Sequence, residues 1–377
     1  MSEHDASFDV AIVGAGIVGL AHAWAAIRRG LRVIVLERHA AATGASVRNF
    51  GMVLPIAQPP GQAYETALRS RELWLELAEV AFVWVNECGS IHLAHHDDEW
   101  AVLRDFADSS AIDGDQRRLL TAGEVIELAP AANPDGLRGG LWSSTELGIN
   151  PRTALTKIAE WLTAKHDVTI RFNTRVTSIE TGQLETSSGQ TFRADRIIVC
   201  SGDEMRLLFP EELGKCGLRL CKLQMMRTDA QPDNWRLGPH LASGLTLRHY
   251  RVFERCASFP TLKARIAEET PELDRYGIHV LASQNDRGEV ILGDSHEYDA
   301  DITPERNPEI DELILREVRK IIRLPDWTIA DRWHGQYVKH PTQSVVELEP
   351  TAGVRIVTGF DGAGMTLALG WADLNWK

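Results

Sequence analysis

An α/β fold, opened by a parallel-sheet unit and completed by a smaller mixed-sheet α+β region, is predicted by three features of the sequence. The short apolar strand Phe8 to Val13 runs directly into the turn Gly14-Ala15-Gly16-Ile17-Val18-Gly19. An alanine-rich helix (Leu20 to Arg29), a closing Gly30 and a second apolar strand (Arg32 to Leu36) follow, ending at the acid Glu37. Between about 216 and 324 the pattern changes to strand-length apolar runs separated by turn residues.

The first two features make a Rossmann-like dinucleotide fingerprint. Gly14 permits the tight turn, Gly16 lets the backbone approach a pyrophosphate, and Gly19 lets the helix pack closely on the strand. Free N–H groups and the positive dipole end at the helix N-terminus favour an anion there. Glu37 lies close to the spacing of about 20 residues at which an acid holds ribose hydroxyls. Its charge repels a 2′-phosphate, which points to FAD or NAD(H) and away from NADP(H). No second GxGxxG follows, so one dinucleotide is expected.

Composition narrows the class. A chain of 377 residues, 44% hydrophobic and 25% charged, can bury a large core, and its length suggests two domains. A formal charge of −13 argues against a nucleic-acid partner, which needs a basic face. Five cysteines without a dense pattern read as reduced thiols of a cytoplasmic protein, the nearest pair, Cys216 and Cys221, being structural. The uncharged stretch Val10 to Ile27 resembles a membrane span, but it has acidic flanks, contains His22 and is explained by the fingerprint, so no span is expected. His95-His96-Asp97-Asp98-Glu99 gathers metal-ligand types without partners at defined spacing; it reads as a solvated loop, and no metal is expected.

Farther along, Gly148-Ile149-Asn150-Pro151-Arg152 opens a helix, followed by a strand, Val168 to Phe172. Strands are expected at Arg219 to Thr228, Ser243 to Phe253, His279 to Ser283 and Glu289 to Gly293, the last two joined through the hairpin turn Asn285-Asp286-Arg287-Gly288. Pro304 to Leu324 reads as a helix stopped by Pro325.

Four blocks of the sequence resemble the D-amino-acid oxidase, glycine oxidase and sarcosine oxidase superfamily of FAD enzymes, nearly end to end. They are the fingerprint with Glu37 and the small-residue segment Thr43 to Met52; Gly148 to Arg152 with Thr174-Arg175-Val176; Ala194 to Gly202; and Gly353 to Thr366. The resemblance implies a discontinuous FAD domain (1–80, 145–215 and 325–377) and a substrate domain (81–144 and 216–324). It places at the cofactor Gly14, Ala15, Gly16, Ile17, Val18, Gly19, Glu37, Arg38, Ser46, Arg48, Asn49 and Val176, then Cys200, Ser201, Gly202 and Gly335. Gly359, Gly362, Ala363, Gly364, Met365 and Thr366 complete that set, with the last helix aiming its N-terminus at the flavin. Some members attach FAD through a cysteine; no cysteine lies beyond Cys256, so noncovalent FAD is expected.

The implied chemistry is oxidation of an amine, by hydride transfer from the amine-bearing carbon to flavin N5 and hydrolysis of the resulting imine. Oxygen or another acceptor would reoxidise the flavin, as oxidase or dehydrogenase, and no acid/base side chain is obligatory. In glycine oxidase and relatives a W-x-G-x-R motif supplies a carboxylate-binding arginine, but here Trp333-His334-Gly335-Gln336-Tyr337 ends in tyrosine. With its RNFGM run and short C-terminus, the chain looks more like a bacterial branch associated with aminophosphonate breakdown, which oxidises 2-aminoethylphosphonate or its N-methyl derivative. An anionic substrate needs cations: Arg248 and Tyr250, two apart in an expected strand and hence on one face, are candidates with Lys339, Arg48, Gln336 and Tyr337, while His249 would face away. Two alternatives stay open, an oxidase of the D-amino acid, glycine or sarcosine type and a non-catalytic flavin-binding redox sensor or subunit.

Overall fold

Strands apolar on both faces build the first layer, because both sides are covered, one by helices and the other by Val176, Leu184, Leu208 and Leu213. In the computed structural model, which describes residues 7–109, 116–166, 168–298, 302–303 and 305–376, Ser7–Val13 pairs in parallel with Val33–Leu36 on one side and Thr191–Val199 on the other. Thr169–Arg171 extends the sheet beyond Val33–Leu36, and Val354–Thr358 lies parallel to Thr191–Val199. Antiparallel strands complete an eight-stranded sheet. The helix Ile17–Ile27 is buried almost throughout, which explains why it is apolar all round: it packs against Pro151–Lys165 and the last helix, Gly364–Leu374. The two ends of the chain thus meet in one core.

A nine-stranded sheet of mixed direction forms the second layer. Its longest pair is Arg219–Ala230 against the edge strand Ile329–Lys339, antiparallel over almost their whole length. Ile329–Lys339, which the sequence groups with the cofactor segments, hydrogen-bonds in this second sheet and carries Gly335, Gln336, Tyr337 and Lys339 to the boundary between the layers. Leu281–Gln284 and Glu289–Gly293 form the expected hairpin. Among the described residues no helix is long and apolar enough to cross a membrane.

Three expectations are corrected. Ser243 to Phe253 is not a strand: it coils into the tight helical turns Gly244–His249 and Arg251–Phe253. The alternation of Leu245 and Leu247 imitates strand periodicity, yet every residue from Gly244 to Leu247 is buried, and the Glu99 side chain lies where a side chain on Gly244 would go. The expected helix from Pro304 instead spans Pro308–Ile321, capped by the Asn307 side chain, which accepts the Glu309 N–H; Pro304 lies outside the described residues. The acidic-histidine run is no solvated loop. It opens the helix Asp97–Ser109, with buried Glu99 accepting the His95 and His96 N–H groups and pairing, with Asp98, to Arg265.

Candidate active site

One cavity of about 350 Å³ runs from the first glycine turn to the inner face of the second sheet. Its outer part is made largely of backbone. Gly14 has φ of +103°, and a Cβ there would stand 2.4 Å from the Cys200 carbonyl oxygen; a Cβ on Gly19 would stand 1.9 Å from the Gly14 oxygen. Glu37, buried at the end of Val33–Leu36, accepts the Ala15 N–H and the His39 N–H, each at 2.9 Å. Ser46 Oγ accepts the Ile17 N–H at 3.1 Å, and Asn49 shapes the same loop by bonding Ala45, Ser46 and Gly51. Across the cavity the last helix begins at Gly364, with Ala363 as its N-cap. Neither its N-cap nor Gly16 at the start of the first helix supplies a capping side chain, so two helix N-termini open onto one space.

Side chains make the inner part. Lys339 Nζ lies 2.9 Å from one oxygen of Asp361 and Arg251 Nη2 lies 3.1 Å from the other, so two cations share one carboxylate. Arg48 donates to the His334 carbonyl at 3.2 Å and also lines the cavity. Burial pushes the Tyr250 and Tyr337 hydroxyls well above the usual tyrosine range, so both stay protonated. Beside them His249, His279 and His296 stack with ring centroids 4.2, 4.9 and 5.1 Å apart. His279 Nε2 is 2.7 Å from Asp294 Oδ1, an ion-pair distance not aligned as a hydrogen bond. Burial holds all three imidazoles neutral and pushes the Asp294 carboxyl up to about 7.

The sequence model of the family described as "FAD dependent oxidoreductase" (DAO) matches residues 9–374. The chain belongs to the DAO family. Among curated relatives it is 26% identical over 238 residues to an opine oxidase component of Rhizobium meliloti, covering 59% of this chain and 63% of that one. It is 27% identical over 207 residues to glycine oxidase of Geobacillus kaustophilus (strain HTA426), covering 52% and 54%. The chain therefore matches somewhat over half the length of these relatives. In three dimensions it is similar to glycine oxidase from Geobacillus kaustophilus, with a TM-score of 0.76, 19% identity and coverage of 98% of this chain and 93% of that one.

FAD, the cofactor of the DAO family, fits the residues present: paired helix N-termini for anionic groups, a buried acid at a strand end, and glycines whose side chains would collide with the main chain. Of the residues singled out from sequence, all but Ala15, Gly19 and Arg248 line the cavity. Ala15 and Gly19 act from beneath, through the bond to Glu37 and the helix–turn contact. Arg248 is a correction. Because its segment coils, it turns from the cavity and donates to the Leu273 and Ile278 carbonyls at 3.0 and 2.7 Å, and to His249 Nε2 at 3.1 Å, so His249 does not face away from it.

Sequence reasoning missed Arg251, His279, Asp294, His296 and the role of Asp361. One signal was within reach. The hairpin around Asn285 to Gly288 folds His279 beside Asp294, where the two main chains exchange hydrogen bonds of 3.1 and 2.7 Å. His249 joins them from a segment whose path no local pattern announces.

Proposed function

We propose that this protein oxidises a small amine carrying an anionic end, with noncovalent FAD, and that 2-aminoethylphosphonate or its N-methyl derivative is its substrate. The observation that carries this reading is the inner cavity, where Lys339 and Arg251 stand together over Asp361, with Tyr337 in the place of the family's carboxylate-binding arginine. Two cations against one carboxylate leave a net positive pole, and protonated Tyr337 and Tyr250 add hydroxyl donors for the oxygens of an anion.

In this reading the first helix N-terminus and Ser46 would hold the FAD diphosphate, Glu37 the ribose, and the last helix N-terminus the flavin end. Bound FAD supplies the two-electron acceptor for the amine-bearing carbon. The protein's own contribution is placement. Lys339 and Arg251 would fix the anionic end, and buried Leu281 and Met225 exclude water from one wall. The thiol nearest the cradle, Cys200, is buried and pushed far above its usual range, which supports noncovalent attachment.

An oxidase of the glycine or sarcosine type is the second reading, favoured by the similarity to glycine oxidase. Anaerobic mixing separates the two. The flavin band near 450 nm should bleach faster with 2-aminoethylphosphonate or its N-methyl derivative than with glycine, sarcosine or D-alanine at equal concentration. Faster bleaching by the carboxylates would replace the phosphonate reading with the second one. A yellow protein inert to all of them would make it a flavin-binding sensor or subunit.

A further inference from the structure

The histidine cluster has no task in the reading above, yet it is the most heavily built part of the inner cavity. His279 and Asp294 are buried there with His249 and His296 partly buried beside them, and His279 Nδ1 and Nε2, His296 Nδ1 and Asp294 Oδ1 have no hydrogen-bond partner. Unpartnered buried polar atoms each cost about 1–3 kcal/mol, so such a group persists where it meets a ligand or a proton.

A metal ion is the first occupant to consider, since the potential ligand atoms of His249, His279 and His296 all lie within 4.8 Å of one another. Two observations oppose it. The rings are nearly parallel, with interplanar angles of 20°, 27° and 30°. An imidazole lone pair lies in its own ring plane, so stacked parallel rings do not aim at a common point. Moreover, the always-charged Arg248 donates through Nε to His249 Nε2, which places the remaining proton of neutral His249 on Nδ1 and leaves that ring no free lone pair.

We infer that the cluster is a proton acceptor, in which His279, seated against Asp294, removes the proton from the substrate's ammonium group. The inference rests on the amine oxidation proposed above. An amine enters as R–NH₃⁺, and a hydride leaves its carbon only when nitrogen has a lone pair to form the C=N bond. In the step, one N–H bond of the ammonium breaks and its electron pair stays on nitrogen. The proton goes to the unpartnered Nδ1 of His279, while Nε2–H turns to Asp294, whose charge stabilises the imidazolium. His249 is unsuited because the Arg248 guanidinium occupies its Nε2, and His296 Nδ1 stands farther from Asp294 Oδ1, at 3.9 Å. The groups facing His279 are His249 and Arg248 from the turn Gly244–His249, and Tyr250 after it; Asp294 and His296 after Glu289–Gly293; Tyr337 and Lys339 from Ile329–Lys339; and Asp361 beyond Lys339. Burial, then Arg248 and Lys339, oppose its protonation, and an ionised Asp294 at 2.7 Å opposes those effects by its charge. A deprotonated pair is therefore available above about pH 7, where the Asp294 carboxyl ionises.

The test is anaerobic stopped-flow reduction of the holoenzyme by saturating 2-aminoethylphosphonate from pH 6 to 10, in wild type, His279→Gln, Asp294→Asn and His296→Gln. The wild-type rate should rise through about pH 7 and level off. An alkylammonium ionises near pH 10, so about one molecule in a thousand is neutral at pH 7. His279→Gln and Asp294→Asn should then be slowed roughly 100- to 1,000-fold at pH 7, gaining about tenfold per pH unit. A fluorinated analogue with a more acidic ammonium should narrow the gap to wild type, which a merely structural defect would not do. His296→Gln removes a ring packed on His279 but not the acceptor, so its rate, whatever its plateau, should still rise once through about pH 7; a profile that instead gains tenfold per pH unit would move the acceptor to His296. A second readout is independent of turnover: Co²⁺ added to the holoenzyme should give no tetrahedral absorption bands. A reducible wild type whose His279→Gln profile runs parallel to it would overturn the inference alone, as would Co²⁺ bands abolished by His279→Gln. A flavin that no amine reduces overturns the amine reading and this inference with it.

Discussion

The outer and inner parts of the cavity are built from different materials. In the outer part, Gly14, Gly16 and Gly19 bring main chain close, and two helix N-termini present backbone N–H donors. In the inner part the main chain stands back, and side chains converge from separate segments: Arg251 from a helical turn, Tyr337 and Lys339 from Ile329–Lys339, and His279 and Asp294 from either end of the hairpin. A backbone-built site tolerates no added side chain, whereas a side-chain-built site tolerates substitution of its members one at a time, each with its own cost. The same contrast explains how one family can keep a cofactor and change a substrate.

The largest effect should come from breaking the outer part. Gly14→Val combines a positive φ with a Cβ placed 2.4 Å from the Cys200 oxygen, so the variant should retain no FAD after desalting, as read by flavin absorbance per protein. A fully yellow Gly14→Val protein would mean that the cradle is not where the cofactor sits. Next comes Arg248→Met, which takes the side-chain donor from the Ile278 carbonyl and one of two donors from the Leu273 carbonyl, the other being the Ile278 N–H. Chemical denaturation should show a loss of about 2 kcal/mol with FAD retained.

Sharper discrimination comes from Lys339→Met. It should raise KM for an anionic amine roughly tenfold, more than Arg248→Met does, and leave FAD affinity unchanged, because it removes one of the two cations held by Asp361. Equal KM values in wild type and variant would move the anion site elsewhere.

The smallest expected effect carries a sign. Asp294 ionises near 7 in the folded protein because burial disfavours its charge, against a value near 4 when unfolded. Below pH 4 both states hold the proton and there is no penalty. The penalty enters as pH rises through the window from about 4 to 7 and is complete above it. Asp294→Asn should therefore melt higher than wild type at pH 8 and together with it at pH 4, measured by calorimetry. A variant less stable at pH 8 would show that the carboxylate has a partner that stabilises its charged form.

How much of this was written locally follows the same division. The cradle was legible because a glycine turn between two apolar strands and the acid Glu37 are fixed by short-range backbone geometry, and the last helix start at Gly364 by the same logic. The inner part was legible only in fragments. Tyr337 and Lys339 stood out through a departure from a motif, but Arg248 was misplaced because Leu245 and Leu247 alternate as strand residues do while their segment coils in contact with Glu99. His279 and Asp294 meet through a hairpin register that the turn Asn285 to Gly288 encodes, whereas Arg251 and Asp361 meet through tertiary packing that no short window contains.

The account stands most directly on one comparison of substrates. Mixed anaerobically with the purified yellow protein, 2-aminoethylphosphonate should bleach the flavin at least tenfold faster than ethylamine at equal concentration, since only the former has an anionic end for the proposed site at Lys339 and Arg251. Ethylamine reducing the flavin as fast or faster would contradict a cavity built to hold an anionic amine.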